Sequence, residues 1–320
     1  MQNSKQKNLD IPVLLMVFNR IDTTINVLDA IRQARPKKLY IACDGARKEK
    51  YGEYEKVEEI RRFVVNNINW RCRVETLFRK SNLGCKESVN DAISWFFENE
   101  EMGVILEDDT VPDISFFWYC QELLIKYKND TRIGLISGNN HMPWYQCQNS
   151  YVFSKFKKTW GWATWRRSWV NQDLEMSWEK TPYKESIIGN MGYSNKKTFA
   201  SWLRKIEDVN TNRVNTWDYQ WFLALSSQSQ LCIFPAKNLV ANIGFGGDAT
   251  HCVGDASSEY SSMHSIEFPL RHPKYFVPEL GYEKNYEMWI VKKKRVITKI
   301  IPPSIRKQLK NIIKRFYKYK

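Results

Sequence analysis

The chain has 320 residues, 43% of them hydrophobic and 14% aromatic, which is enough apolar material for a sizeable core in one large domain or two. Its formal net charge is +14, but twelve Lys and Arg lie in residues 292–320 with no Asp or Glu among them. The body is therefore near neutral, which excludes nucleic-acid binding over the whole surface and leaves a local basic anchor.

Residues 11–18 (IPVLLMVF) are a continuous apolar run, as a strand buried on both faces reads. Asp22 or Thr23 is placed to cap a helix to about Arg35, with Ile25, Leu28 and Ile31 on one face. Residues 39–43 form a second strand, stopped by Asp44-Gly45, and a Glu/Lys-rich helix follows over 53–66. A third strand at 73–78, a turn at 81–84 and a helix at 87–98 come next, the helix with Val89, Ala92, Ile93 and Phe96 inward. The fourth strand, 103–106, runs straight into Glu107-Asp108-Asp109; a helix at 113–127 and a strand at 132–137 follow. This alternation predicts an α/β fold, a mostly parallel sheet sandwiched by helices. Such a sheet collects its ligand groups at the carboxyl ends of strands: Asn19-Arg20, Asp44-Gly45, Glu107 to Asp109 and Ser137-Gly138-Asn139.

Three consecutive acids after an apolar run cannot stay in the sheet without a partner. They face water, a basic ligand or a hard cation such as Mg²⁺ or Mn²⁺, which prefers oxygen donors and often also holds a phosphate. The plain alternative is a solvated strand end whose acids serve as helix caps.

The second half is less regular. Residues 160–167 (WGWATWRR) are dense in Trp, which serves either core packing or stacking on a sugar face; most of these residues read as core. A helix with Phe199, Trp202 and Ile206 follows, then a segment NTWDYQW (215–221) opening another helix, a strand at 231–234 and the Gly-rich loop NIGFGGDATH (242–251). The seven cysteines form no Cys-x-x-Cys pair and read as reduced thiols. Residues 1–10 lack the apolar core of a signal peptide, and no apolar run reaches the length of a membrane span.

The ordered set IPVLLMVFNR, IACDG, NLG, VILEDD, WGWATW, WDYQW and NIGFGGDATH resembles the GT-A glycosyltransferases, in particular the inverting N-acetylglucosaminyltransferase-like branch and bacterial polysaccharide sugar transferases. The resemblance is best over residues 11–115 and at Trp217-Asp218. It implies a GT-A domain over 1–280, with a nucleotide-sugar half (1–140) and an acceptor half (141–280), and a hexosyl- or N-acetylhexosaminyl-transferase using a UDP-sugar and Mn²⁺ or Mg²⁺. By the same resemblance Asp109 binds the metal, Glu107 and Asp108 approach the ribose and donor sugar, Asp44 accepts the uracil N3–H, and Phe18 and Arg20 lie beside the nucleotide. Asp218 is the catalytic base; helix capping is its plain alternative. His251 is a candidate second metal ligand, against a structural or solvent-facing His.

Residues 281–320 form a basic tail. After Pro302-Pro303, Ser304 can cap a helix with Ile305, Leu309, Ile312, Ile313 and Phe316 at helical spacing among Lys and Arg. That pattern reads as an interfacial anchor on an anionic membrane, with a helix docked on the protein core or an RNA-binding tail as alternatives. Together these readings predict a peripheral enzyme on the cytosolic face of a bacterial inner membrane, acting on a glycan or lipid-linked acceptor. Two other readings remain open. One is a sugar nucleotidyltransferase, although the segment after strand one lacks the glycines that would cradle a triphosphate. The other is a catalytically inactive membrane scaffold.

Overall fold

The computed structural model describes residues 8–142, 144–192, 196–244 and 262–300. The chain divides into two compact units, Met1–Glu279 and Leu280–Lys320.

The first unit begins with the expected alternation: β1 (Val13–Val17), α1 (Ile21–Ala34), β2 (Lys38–Cys43), α2 (Glu53–Asn66), β3 (Arg73–Phe78), α3 (Cys85–Asn99) and β4 (Met102–Glu107). It continues with β5 (Thr110–Pro112), α4 (Ile114–Lys126), β6 (Ile133–Ser137), β7 (Tyr151–Ser154), β8 (Trp162–Trp165) and α5 (Arg166–Trp169). The helices α6 (Lys184–Gly189), α7 (Lys196–Asn210) and α8 (Asp218–Ser227) precede β9 (Leu231–Pro235) and β10 (Val240–Asn242). Eight strands form one sheet in the order β3-β2-β1-β4-β8-β6-β9-β7. The β1–β2, β2–β3, β1–β4 and β6–β9 pairs are parallel; β8 runs antiparallel to both β4 and β6, and β7 antiparallel to β9. Six of the eight strands therefore point the same way, so their carboxyl ends share one edge of the sheet.

Alternation along the strands assigns the two faces. Val13, Leu15 and Val17 join Leu39, Ile41, Cys43, Val104 and Leu106 in a core closed by α1, α2 and α4. On the opposite face Tyr40 meets Phe96 of α3 edge-on, with ring centroids 5.0 Å apart. The same face carries Trp162, which stacks on Trp217 at 5.7 Å and lies close to Trp169 and Trp221. Trp162, Trp165, Trp169, Trp217 and Trp221 are all buried, so the Trp-rich segment builds core, and its WATW run is the strand β8 that splits β4 from β6.

Two local expectations shift. Helix α1 starts at Ile21 with Arg20 at its N-cap and no side-chain cap bond, so neither Asp22 nor Thr23 caps it. Its inward face is Thr24, Val27, Leu28, Ile31 and Ala34, and Ile25 is exposed. β5 and β10 pair antiparallel in a small second sheet, fastening the chain after the acid triplet to the chain before the Gly-rich loop.

In the second unit the helix Leu280–Ile300 is described by itself; its second half carries Lys292, Lys293, Lys294, Arg295 and Lys299. No helix among the described residues is long and apolar enough to cross a membrane. The proline pair and the expected helix over 304–316 lie outside the described residues.

Candidate functional site

The ends of β1, β2 and β4 lie side by side, with Met16 paired to both Ala42 and Glu107. Beyond β1 the chain turns through Asn19 and Arg20 into α1, and beyond β4 it delivers the acids. The Arg20 guanidinium lies 2.5 Å from Asp108 Oδ1 and 3.0 Å from Asp109 Oδ2. Burial works against the Arg20 charge, yet Asp108 and Asp109 hold its pKa above the ordinary value. Burial also pushes the Asp108 carboxyl up to about 6, although Arg20 and the Phe18 backbone amide pull it down. Glu107 is pushed up to about 8, first by burial and then by the negative charges of Asp109, Asp108 and Asp218. Its carboxylate has no hydrogen-bond partner among the described residues. Thr110 fixes the triplet's backbone: its hydroxyl receives the Glu107 N–H and donates to the Glu107 carbonyl, each at 3.0 Å.

Asp109 is packed from the other side by the chain leaving β10. Its carbonyl accepts the Ile243 N–H at 2.9 Å, and a Cβ on Gly244 would fall 2.0 Å from Asp109 Oδ2. A side chain at that position would displace the Asp109 carboxylate. His251 lies further along that loop, outside the described residues.

Asp44, at the end of β2, has its carboxylate taken up by the protein. Oδ1 accepts from Gly45 N at 2.9 Å and Leu83 N at 3.0 Å; Oδ2 accepts from Asn82 Nδ2 at 3.0 Å and Gly84 N at 3.1 Å. A carboxylate offers about four lone-pair sites, so a uracil imide meets Asp44 only if one of these donors withdraws. Asp44 here ties down the turn that leads into α3. Gly45 lies so close to this turn that a Cβ would be 2.4 Å from the Ser81 backbone.

Phe18 is half-buried, with the Arg47 guanidinium 5.6 Å from its ring centroid. The buried Glu53 holds this corner, accepting from Asn19 Nδ2 at 2.9 Å and from the Arg47 backbone at 2.8 Å. Nothing in the sequence singles out Arg47, Asn19 and Glu53 together, because their convergence depends on how the β1 and β2 ends meet.

Asp218 is the first residue of α8, and the N-cap position, Trp217, makes no side-chain cap bond. The Asp218 carboxylate receives the Thr216 hydroxyl through Oδ1 and no backbone N–H, so it does not cap its helix. The segment before it is pinned at three points. Asn215 Oδ1 accepts the Lys86 backbone N–H at 2.7 Å, Trp217 stacks on Trp162, and the Trp217 carbonyl accepts from Gln172 Nε2 at 3.5 Å. Asp218 is thereby held close enough to Glu107 to raise its pKa. Near both lies Cys85, the first residue of α3; burial, then Glu107, Asp218 and Asp44, push its thiol up to about 12, so it stays protonated. Nothing in the spacing of the sequence marks Cys85, Asn215 or Thr216.

The structure thus brings Arg20, Glu107, Asp108, Asp109 and Asp218 to one place, with Asp44 and Phe18 on its flanks. Among the described residues no group of three or more His, Cys, Asp or Glu is placed to hold a metal ion by itself. A hard cation at a diphosphate needs less, since Mg²⁺ takes one or two carboxylates and fills its shell with phosphate oxygens and water. The all-oxygen donors Asp108 and Asp109, beside an unpaired Glu107, fit such an ion.

No family model and no curated protein matches this chain. Many solved structures match at low level, among them these three. A cytidylyltransferase from Leptospira borgpetersenii has 14% identity and TM-score 0.33, over 55% of this chain and 71% of that one. HddC from Yersinia pseudotuberculosis has 8% identity and TM-score 0.30, over 49% of this chain and 77% of that one. Mouse xyloside xylosyltransferase 1 has 10% identity and TM-score 0.35, over 69% of this chain and 83% of that one. These likenesses are too slight to assign an activity, so the functional reading rests on the site's own residues.

Proposed function

We propose that the protein is a metal-dependent glycosyltransferase that moves a sugar from a UDP-sugar to a hydroxyl of a glycan or lipid-linked acceptor with inversion. The observation that carries this reading is the approach of Asp218 to Glu107, the first acid of the triplet, across a sequence distance of more than one hundred residues. Even with Glu107 protonated, the carboxylates of Asp108, Asp109 and Asp218 outweigh one guanidinium, so a nucleoside diphosphate enters this site only together with a cation. A divalent ion held by Asp109, with Asp108 beside it and His251 a further candidate ligand, supplies charge stabilisation to the departing diphosphate.

The chain's own groups do the rest. Arg20 holds Asp108 and Asp109 in place and lends positive charge at the donor side. Glu107, unpaired, is available to a donor-sugar hydroxyl. Asp44 keeps the turn before α3 in position, and Phe18 with Arg47 flanks the nucleotide. In an inverting transfer the acceptor oxygen attacks the anomeric carbon as the diphosphate leaves on the opposite side, and one carboxylate takes the hydroxyl proton. Asp218 suits that role, because Thr216 fixes Oδ1 while Oδ2 has no hydrogen-bond partner among the described residues. The basic residues 292–320 would hold the enzyme on an anionic membrane surface where a lipid-linked acceptor resides.

The test is release of UDP from a panel of UDP-sugars with Mn²⁺ and with EDTA, run beside pyrophosphate release from nucleoside triphosphates. Metal-dependent UDP release supports the reading. Pyrophosphate release without UDP release replaces it with nucleotidyl transfer.

A further inference from the structure

The two edges of the eight-stranded sheet are finished differently. β7, at one end of the strand order, is buried along its whole length. The chain returns to cover it: Phe153 bridges Pro278, and the Glu279 N–H donates to the Phe153 carbonyl at 2.9 Å. β3, at the other end, pairs only with β2 among the described residues. The Arg73 N–H donates to the Lys37 carbonyl at 2.9 Å, and the Arg79 N–H to the Cys43 carbonyl at 3.0 Å. Bonding to one neighbour alternates along a parallel strand. The backbones of Arg73, Glu75 and Leu77 therefore serve β2, and the N–H and C=O groups of Val74, Thr76 and Phe78 point away from the sheet. Such a row is a template for pairing with another chain.

The side chains along this edge narrow the partner. Val74 and Phe78, both half-buried, join Ile68 and Trp70 at the rim of the core. Leu77, also half-buried, lies on the opposite face, where Trp95 of α3 meets Tyr40 edge-on at 5.2 Å. Between them Arg73 Nε lies 2.8 Å from Glu75 Oε1, a cation and an acid two residues apart. That spacing is self-complementary about a two-fold axis at Val74. In an antiparallel pair of β3 strands centred there, Val74 faces its counterpart, Cys72 faces Thr76, and Arg73 faces Glu75 of the second copy. The outward N–H and C=O groups of Val74 then exchange bonds across the axis. The Arg73–Glu75 pairs fall at the positions between, where side chains come closest. Moving the axis to Glu75 sets two carboxylates opposite each other, which is destabilising. Moving it to Thr76 sets Glu75 against Leu77. The chain's own basic tail fits the edge less well, because its cations would meet Arg71 and Arg73.

We infer that the protein forms a two-fold dimer through antiparallel β3–β3 pairing, which joins the two sheets edge to edge. The same patch is used on both copies and β7 is covered, so association closes at two. The acids at the ends of β1 and β4 lie beyond β2 from this interface, and each copy keeps its own site. Nothing in the pairing depends on the transfer reaction.

The experiment is sedimentation velocity of the full chain at micromolar concentration without lipid, with circular dichroism of every variant as the check on folding. Thr76→Pro removes an outward N–H that β2 does not use and sets a proline ring on the edge, where a strand tolerates it. Glu75→Arg places like charges opposite Arg73 of the second copy. Arg73→Glu combined with Glu75→Arg exchanges the charges and restores the match. The expected result is a native dimer whose dissociation constant rises at least tenfold in Thr76→Pro and in Glu75→Arg and returns close to the native value in the double exchange. A native chain that stays monomeric, or a dimer of native affinity in a folded Thr76→Pro protein, overturns the interface. Native affinity in Glu75→Arg, or a loss there that the double exchange does not restore, overturns the pairing centred on Val74.

Discussion

The side-chain oxygen of Asn215 accepts the backbone N–H of Lys86 at 2.7 Å. This bond joins the start of α3, which Asp44 holds against the donor half, to the segment that delivers Asp218. It acts as a cap supplied from the other half of the chain, and a lost cap costs about 1 kcal/mol. Asn215→Ala is expected to keep the fold, lower kcat about tenfold and leave the donor KM within about twofold, because slight misplacement of a base is felt in the chemical step. Steady-state kinetics with varied donor check this. A raised donor KM at unchanged kcat would place Asn215 in donor binding instead.

Arg20 is paired with both Asp108 and Asp109. Arg20→Met leaves these acids without a cation, and breaking such a largely buried pair costs about 3 kcal/mol. The variant is expected to melt below the native chain in EDTA and to regain much of the difference in Mn²⁺, which neutralises the same carboxylates. Thermal melts with and without the ion check this. An equal effect of Mn²⁺ on both proteins removes the metal from Asp108 and Asp109.

Asp44 accepts the Gly45, Leu83 and Gly84 backbone N–H groups and Asn82 Nδ2, so Asp44→Ala strands these four donors and is expected to cost about 2–4 kcal/mol in urea unfolding. Asn82→Ala withdraws one side-chain donor from the same carboxylate and is expected to leave UDP affinity equal or improved by calorimetry. An Asp44→Ala protein of native stability with weak UDP binding would return Asp44 to base recognition as its main role.

A chain ending at Ile300 lacks seven of the twelve tail cations. Each contributes about 1 kcal/mol at an anionic surface. Cosedimentation with phosphatidylserine vesicles is expected to fall at least tenfold, while UDP release from a soluble donor and acceptor persists. Equal sedimentation of both chains moves membrane attachment, if any, elsewhere.

Much of the first half was legible because most strands there are runs of apolar residues with a turn signal behind them, although β3 (RVETLF) mixes apolar and polar residues. α2 and β3 fall on residues 53–66 and 73–78, as the sequence predicts. The second half was less legible for a physical reason. WATW reads as a Trp cluster, and only the sheet shows it as β8 inserted antiparallel between β4 and β6. β5 and β10 are too short to announce themselves and exist because each pairs with the other. In the site, the acids of the triplet and Asp218 stand out as residue types. Asn215 positions the Asp218 segment and Asn82 holds Asp44 through contacts between distant segments, while Thr216 binds Asp218 from two residues away with no pattern that marks it. Asp44 was legible as a strand-end acid, but the donors that fill its carboxylate come from the 81–84 turn and became visible only with the fold.

The most direct test of the account is the turnover of Asp218→Asn with the best UDP-sugar and acceptor in Mn²⁺, measured together with the affinity for UDP. Removing an essential base typically costs about 10²–10⁴ in rate. The account predicts a loss of kcat in that range with UDP affinity within about twofold of the native protein. Native turnover in Asp218→Asn would contradict it.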